Sequence, residues 1–189
     1  MRRVTRQEIL DYVTYEEQRK QIREKIIKIK ELRRINVGGV LSFLFENTDT
    51  VRYQIQEMIR VERIVKETDI QHEINTYNEL LGNSGELGCT LLIEIDDPDE
   101  REDKLTQWLD LPKHLYISLE DGSRISASFD ERQIGGARLS SVQYIKFNTG
   151  GKTPVTIGSD FPLFKSETAL TIDQKKALSE DLFNKQKSD

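Results

Sequence analysis

The fold class is decided by residues 114–129, HLYISLEDGSRISASF. Two runs rich in β-branched and aromatic residues flank Asp121 and Gly122, a pair that is typical of the tight turn in a β-hairpin. Further strands are predicted at 40–46, 87–95 and 141–147, with a short edge strand at 155–157. We therefore expect an antiparallel sheet built around this hairpin.

Helices are predicted mainly before these strands. Two S/T-x-x-E capping boxes, at Thr5 and Thr14, predict a short helix and then a long one that runs to about Arg34. Further helices are predicted at 51–65, 68–81, 98–109 and 171–183. The predicted fold class is α+β, with N-terminal helices packed on a mainly antiparallel sheet of about five to six strands and a C-terminal helix.

The chain of 189 residues is long enough for one domain with its own hydrophobic core. No internal repeat and no long linker divides it, so we expect a single domain over residues 1–189. Its predicted parts are a basic helical segment (1–35), a strand with two helices (36–82), antiparallel strands (83–160), and a C-terminal helix with a tail (161–189).

The composition excludes several classes of protein. No apolar run reaches the roughly 18 residues of a membrane span, and the N-terminus lacks the apolar stretch of a signal peptide. Cys89 is the only cysteine, which excludes an intrachain disulfide and a CxxC motif and indicates a core residue of a strand. We expect a soluble cytoplasmic protein.

Charge is distributed unevenly along the chain. Residues 1–34 hold 11 Lys and Arg against 6 Asp and Glu, although the whole chain has a net charge of −5. A basic helix on an acidic body predicts a surface for a protein partner or for a second copy in a homodimer. The predicted partner surface contains Arg19, Arg23, Lys28 and Arg33. Nucleic acid is a weaker alternative, because the helix lacks interleaved aromatic residues and a known reading motif.

Glu62 is the most conspicuous candidate for a functional side chain. At 100° per residue, it falls within the apolar stripe of a helix that contains Val51, Ile55, Ile59 and Val65. A buried carboxylate must be paired, hydrogen-bonded, protonated or bound to a metal. We expect an arginine or backbone donors to satisfy Glu62. The alternatives are a metal or proton-transfer role and a helix face that is not buried at this position.

A metal site is predicted, as an alternative, from the residues around Glu62. Glu57, Glu62, His72 and Glu73 together resemble the carboxylate and imidazole ligands of metal-binding helical bundles. The spacing does not match well, because such sites use Glu-x-x-His, whereas His72 directly precedes Glu73. The acidic run at 96–103 is explained by the start of a helix rather than by a calcium loop.

No nucleotide-binding motif is complete. Residues 150–153, GGKT, resemble the end of a P-loop, but position 146 is Lys146 instead of glycine and Pro154 obstructs the helix that must follow. No nucleophile elbow is present either. The sequence therefore predicts neither a nucleotide cofactor nor a nucleophilic catalytic set.

The chain resembles a known family along most of its length. The resemblance is carried by LFENTDT (44–50), YQIQEMIRVERI (53–64), IQHEINTYNEL (70–80) and ELGCTLLIEI (86–95), and it extends to the opening residues 5–15 and to ALSEDL (177–182). These stretches are similar to the bacterial family called domain of unknown function 3501. One difference lies near the end, where family members often carry His-Pro followed by an aromatic residue and this chain has Phe161, Pro162 and Phe164.

The resemblance implies a biological context rather than a reaction. Genes of this family tend to lie beside those for rubrerythrin-like proteins and an iron-sulfur oxidoreductase. We therefore expect a non-catalytic accessory partner of an iron-sulfur or rubrerythrin-type redox or oxidative-stress system. A metal-binding protein or metal-dependent enzyme is the first alternative, and nucleic-acid binding through the basic helix is the second.

Overall fold

The computed structural model describes residues 1–131 and 136–183. The α-helices are α1 (Tyr12–Glu31), α2 (Thr48–Glu62), α3 (Glu67–Asn78), α4 (Pro98–Gln107) and α5 (Ile172–Phe183), with short 3-10 helices at Arg6–Glu8 and Leu111–His114. The strands are β1 (Arg34–Val37), β2 (Leu41–Phe45), β3 (Glu86–Ile93), β4 (Leu115–Leu119), β5 (Arg124–Ser126), β6 (Ser128–Phe129), β7 (Val142–Asn148), β8 (Pro154–Phe161) and β9 (Phe164–Ala169). These elements confirm the α+β class.

The strands form two antiparallel sheets. The first has the order β1-β2-β3-β7-β6 and the second the order β5-β4-β8-β9. The predicted hairpin is confirmed, with Tyr116 of β4 opposite Ser126 of β5. Its second arm then leaves β4, because β6 pairs with β7 in the first sheet. The two sheets are thus joined at a corner within one continuous stretch of chain.

The main hydrophobic core lies between the two sheets. Along β3 the buried side chains of Leu87, Cys89, Leu91 and Ile93 alternate as expected for a strand with one face against a core. Their cluster also includes the following residues of the other sheet and of the helices: Leu115, Ile117, Ile157, Trp108 and Leu178. On the side away from the corner, β9 lies next to β1, and Thr168 Oγ1 donates to the Asn36 carbonyl at 2.9 Å.

A second hydrophobic cluster joins α2, α3 and the N-terminal residues on the outside of the first sheet. Val51 and Ile55 of α2 pack with Ile74 of α3 and with Val4. Gly88 of β3 permits the close approach of the chain after α3, since a Cβ at this position would lie 1.8 Å from the Leu80 carbonyl oxygen. The helical layer therefore rests directly on the β3 backbone.

Three local predictions differ from the structure. The long helix ends at Glu31, because Ile35 and Val37 pair with β2 as part of β1 instead of continuing the helix. The strand predicted at 155–157 is present within β8, but β8 has eight residues and lies between β4 and β9, so its predicted short length and edge position are wrong. Strand β9 was not predicted, because its alternating exposure contains few apolar residues.

The described helices include none with both the length and the apolar character needed to cross a bilayer. The predicted tail at 184–189 lies outside the described residues. Helix α5 begins at Ile172, one residue after the predicted start, and its buried residues Ala177 and Leu178 face the rest of the molecule. This helix reaches β3 and β8, so it closes the end of the inter-sheet core.

Candidate functional site

Helix α1 presents one face to the protein and the other to solvent. Asp11 caps its N-terminus by accepting hydrogen bonds from the backbone of Val13 and Thr14, at 3.0 and 3.1 Å. Tyr15 and Ile26 are buried on the inner face, which packs against α2. The remaining surface of this 20-residue helix is therefore available for contacts outside the chain.

A polar cluster on the inner face binds α1 to α2. We call Tyr15, Arg19, Glu57 and Arg60 the Glu57 cluster. The Glu57 carboxylate accepts two hydrogen bonds from Arg19, at 2.8 and 2.9 Å, and one from the Tyr15 hydroxyl at 2.5 Å. Partial burial opposes ionisation of Glu57, but the Arg19 and Tyr15 hydrogen bonds outweigh it and lower the pKa to about 2. Glu57 is therefore a structural anion at neutral pH.

The opposite face of α1 is exposed and carries cations beside apolar side chains. We define the α1 outer face as Tyr12, Val13, Lys20, Arg23, Ile27 and Lys28, all of which are exposed. Ile27 is 44% exposed and Val13 is 63% exposed. At 100° per residue, Lys20, Arg23 and Ile27 lie within about 60° of one another around the helix. The exposed Glu16 and Glu24 lie about 40° on either side of Lys20, so this surface carries two cations, two carboxylates and one aliphatic side chain.

The other cations of the basic segment are largely neutralised by the protein itself. Of the 11 Lys and Arg in residues 1–34, five form ion pairs with carboxylates of the same chain: Arg2 with Glu8, Arg6 with Glu67, Arg19 with Glu57, Arg33 with Asp181 and Arg34 with Glu94. By contrast, Lys20, Arg23 and Lys28 have no ion pair with any described residue. Arg3, Lys25 and Lys30 also have no ion pair with a described residue, so the unpaired cations of the segment include an exposed group in the middle of α1 that Glu16 and Glu24 accompany.

The prediction that Arg33 lies on the partner surface is wrong, because this side chain is buried. It is only 7% exposed, and its guanidinium donates two hydrogen bonds to the Asp181 carboxylate of α5, at 2.7 and 3.0 Å. Asn47 also donates to Asp181, at 3.4 Å. Burial raises the pKa of Asp181, while Arg33 and Asn47 oppose that shift. Of the four predicted residues, Arg23 and Lys28 are exposed and Arg19 is half-buried against Glu57.

Glu62 is exposed, so its expected burial is wrong. Val51, Ile55 and Ile59 are buried as predicted, but α2 ends at Glu62 and Arg63 adopts a left-handed conformation with φ of 53°. The stripe therefore ends one turn early. Val65, which would have continued it, is 81% exposed. The carboxylate of Glu62 needs no buried partner, because it remains in water.

The four predicted metal ligands are not brought together as a ligand set. Glu57 is held by cations of its own chain, Glu62 and His72 are exposed, and Glu73 is half-buried. Within residues 1–131 and 136–183, no group of three or more His, Cys, Asp and Glu side chains is placed to hold a metal ion. Metal binding stays a prediction, which elemental analysis of protein purified without chelators checks.

A groove that the sequence did not predict lies on the outside of the first sheet. It has a volume of about 570 Å³ and runs between the C-terminal end of α3 and strands β6 and β7. Its lining includes Tyr77, Phe129, Tyr144 and Lys146. The lining residues come from five separate parts of the chain, and no local pattern connects them. The sequence contains one sign that the chain after α3 lies close to this sheet. Gly88 is inside a strand, where glycine often marks a close approach of another backbone.

Comparison with known proteins places the chain in a family. The family described as "Protein of unknown function (DUF3501)" matches residues 3–182. Among solved structures, a novel protein of unknown function from Burkholderia pseudomallei is similar, with 27% sequence identity and a TM-score of 0.87 over 96% of this chain and 100% of that one. No curated protein matches the sequence. Because the family match covers nearly the whole chain, this protein belongs to the DUF3501 family.

Proposed function

We propose that this protein is a non-catalytic accessory partner of an iron-sulfur or rubrerythrin-type redox system, and that it binds that system through the α1 outer face. The observation that carries the proposal is the set of exposed cations, Lys20, Arg23 and Lys28, which form no ion pair with residues 1–131 or 136–183. The neighbourhood of the genes in this family supplies the class of partner.

The chemistry of the surface favours an acidic protein partner. Exposed cations steer an oppositely charged protein during encounter, and they make the association sensitive to salt. Ile27 and Val13 are exposed beside them and supply apolar area that excludes water after docking. Glu16 and Glu24 are exposed on the same helix and disfavour partners with a uniformly acidic surface. The preferred partner is therefore one that presents a localised acidic patch with an apolar centre.

The test uses a purified iron-sulfur oxidoreductase of the kind that genes of this family tend to neighbour. Binding is measured by isothermal titration calorimetry at two salt concentrations, about 50 and about 300 mM, which bracket the range over which exposed charges are screened. We expect weaker binding at the higher concentration. The variant Lys20→Glu/Arg23→Glu should weaken binding by at least about tenfold at low salt, since like charges then face each other.

The matched control is Lys175→Glu/Lys176→Glu on α5, which changes the net charge equally on a different helix. Its affinity for the partner should equal that of the unchanged protein. Equal affinity of the two variants contradicts the proposal. Absence of binding by the unchanged protein at low salt contradicts the proposal as well. A gel mobility shift of DNA or RNA that is lost only in the α1 variant would favour the nucleic-acid alternative instead.

A further inference from the structure

The groove between α3 and the first sheet is shaped for a small molecule. Its volume of about 570 Å³ is in the range of pockets that hold metabolite-sized ligands. It is lined by none of the residues of α1, so its chemistry is independent of the α1 outer face. One wall comes from the last turn of α3 and the residues after it, and the other from β6 and β7.

The groove walls are suited to a flat apolar body. Leu80 supplies hydrocarbon, and Tyr77 and Tyr144 add aromatic rings from opposite walls, whereas the side chains of Phe129 and Ile145 pack into the core between the sheets. Aromatic faces and edges pack well against planar ligands. The Tyr77 side chain is half-buried and forms a hydrogen bond with Gln54 of α2. Together these side chains favour a planar ring system.

The charged side chains of the groove favour an anion. Arg3 donates to the backbone carbonyl of Asn78 and to Asn83, but it forms no ion pair with a described residue. Lys146 likewise has no ion pair within the described part of the chain. Of the two carboxylates in the lining, Asp130 already has an interaction within the protein and Glu79 is exposed. Two cations without an ion pair to a described residue, Arg3 and Lys146, therefore accompany one exposed carboxylate, Glu79, and this leaves an excess of positive charge for a ligand.

We propose that this groove binds a small aromatic carboxylate, with the ring between Tyr77 and Tyr144 and the carboxylate held by Lys146 and Arg3. Lysine and arginine bind carboxylates through charge-assisted hydrogen bonds, which are stronger than neutral ones. The apolar walls exclude water from the ring and thereby strengthen that contact. Neither an aliphatic anion nor a neutral aromatic molecule satisfies both halves of the site.

The test is calorimetric titration of the full chain with 1-naphthoate. Two comparison probes separate the contributions: acetate has the charge without the ring, and 1-naphthalenemethanol has the ring without the charge. We expect saturable binding of 1-naphthoate with one site per chain, and binding at least about tenfold weaker for each of the other two, because each lacks one half of the contact. Equal affinity for 1-naphthoate and the neutral alcohol overturns the proposal.

Variants then locate the binding site. Lys146→Gln should weaken binding of 1-naphthoate by about tenfold or more through loss of a charge-assisted hydrogen bond. Thr76→Trp, at an exposed position of the lining, should block the groove without disturbing the core. Lys165→Gln on β9 is the control and should bind as the unchanged protein does. Undiminished binding in Thr76→Trp, with a native circular dichroism spectrum, places the ligand elsewhere and contradicts the proposal.

Discussion

Glu57 shows how one side chain fixes the contact between two helices. Its pKa falls from an ordinary 4.5 to about 2 because the cations and the hydroxyl around it outweigh partial burial. A carboxyl whose pKa is lowered on folding stabilises the native state above its unfolded pKa and loses that contribution as the pH falls. The stabilisation should therefore be complete above about pH 5 and should disappear as the pH decreases toward 2.

Replacing Glu57 with glutamine should remove this contribution. We expect Glu57→Gln to lower the free energy of unfolding by about 2 to 3 kcal/mol at pH 7, as a shift of this size implies. Urea denaturation from pH 7 to pH 3 measures the effect, and the difference between variant and unchanged protein should shrink with acidification. Glu62→Gln, on the same helix but exposed, is the control and should change little. A difference that does not vary with pH contradicts this role of the carboxylate.

Gly88 is required by the close approach of the chain after α3. An alanine Cβ at this position would lie 1.8 Å from the carbonyl oxygen of Leu80, which is backbone and cannot rotate away. We expect Gly88→Ala to cost more than about 3 kcal/mol of stability, as overpacking against backbone does. Gly136→Ala is the control, since no described residue apart from its chain neighbours lies within 4 Å of the added Cβ. Thermal unfolding of both variants checks the difference, and equal midpoints would contradict the packing described.

Helix α5 is tied to the start of β1 by a buried ion pair. The side chains of Arg33 and Asp181 are 9% and 5% exposed, and Asn47 links the same carboxylate to the N-terminus of α2. Removing one partner of a buried pair leaves an uncompensated charge, whereas removing both does not. The pair links α5 to the start of β1, and its net contribution to stability is measured only when both partners are replaced.

A double-mutant cycle separates these two effects. Arg33→Met alone should destabilise the protein by about 3 to 5 kcal/mol, and Arg33→Met/Asp181→Leu should be more stable than Arg33→Met. The exposed pair of Lys113 and Asp110 is the reference, with side chains 55% and 63% exposed, and its coupling should be close to zero. Additive effects at Arg33 and Asp181 would show that the pair is not coupled, contrary to the structure.

The whole chain should unfold as one unit. Trp108, the single tryptophan, belongs to the core between the two sheets, whereas much of the far-ultraviolet circular dichroism comes from the helices outside it. We expect the two signals to follow the same urea transition, as they do in a single cooperative domain. Separate midpoints would show that the helical layer and the sheets are independent units and would contradict the single-domain prediction.

The sequence by itself determined the elements that local interactions specify. The hairpin around Asp121 and Gly122 and the start of α4 at Pro98 follow from turn and capping chemistry within a few residues. Family membership was also predicted from contiguous stretches, and the match over residues 3–182 confirms it. The α+β class follows from these local patterns, because apolar residues at every second position indicate a strand, whereas apolar residues at every third or fourth position indicate a helix.

Only the tertiary structure decided what depends on distant partners. The division of the strands into two sheets, the buried position of Arg33 and the groove beside Lys146 all require residues from separate parts of the chain. Arg33 and Asp181 are 148 positions apart, so no local pattern shows that this cation is not on the surface. Glu62 is exposed because α2 ends there. Helical periodicity alone does not show at which residue the helix ends and its apolar face ceases to be buried.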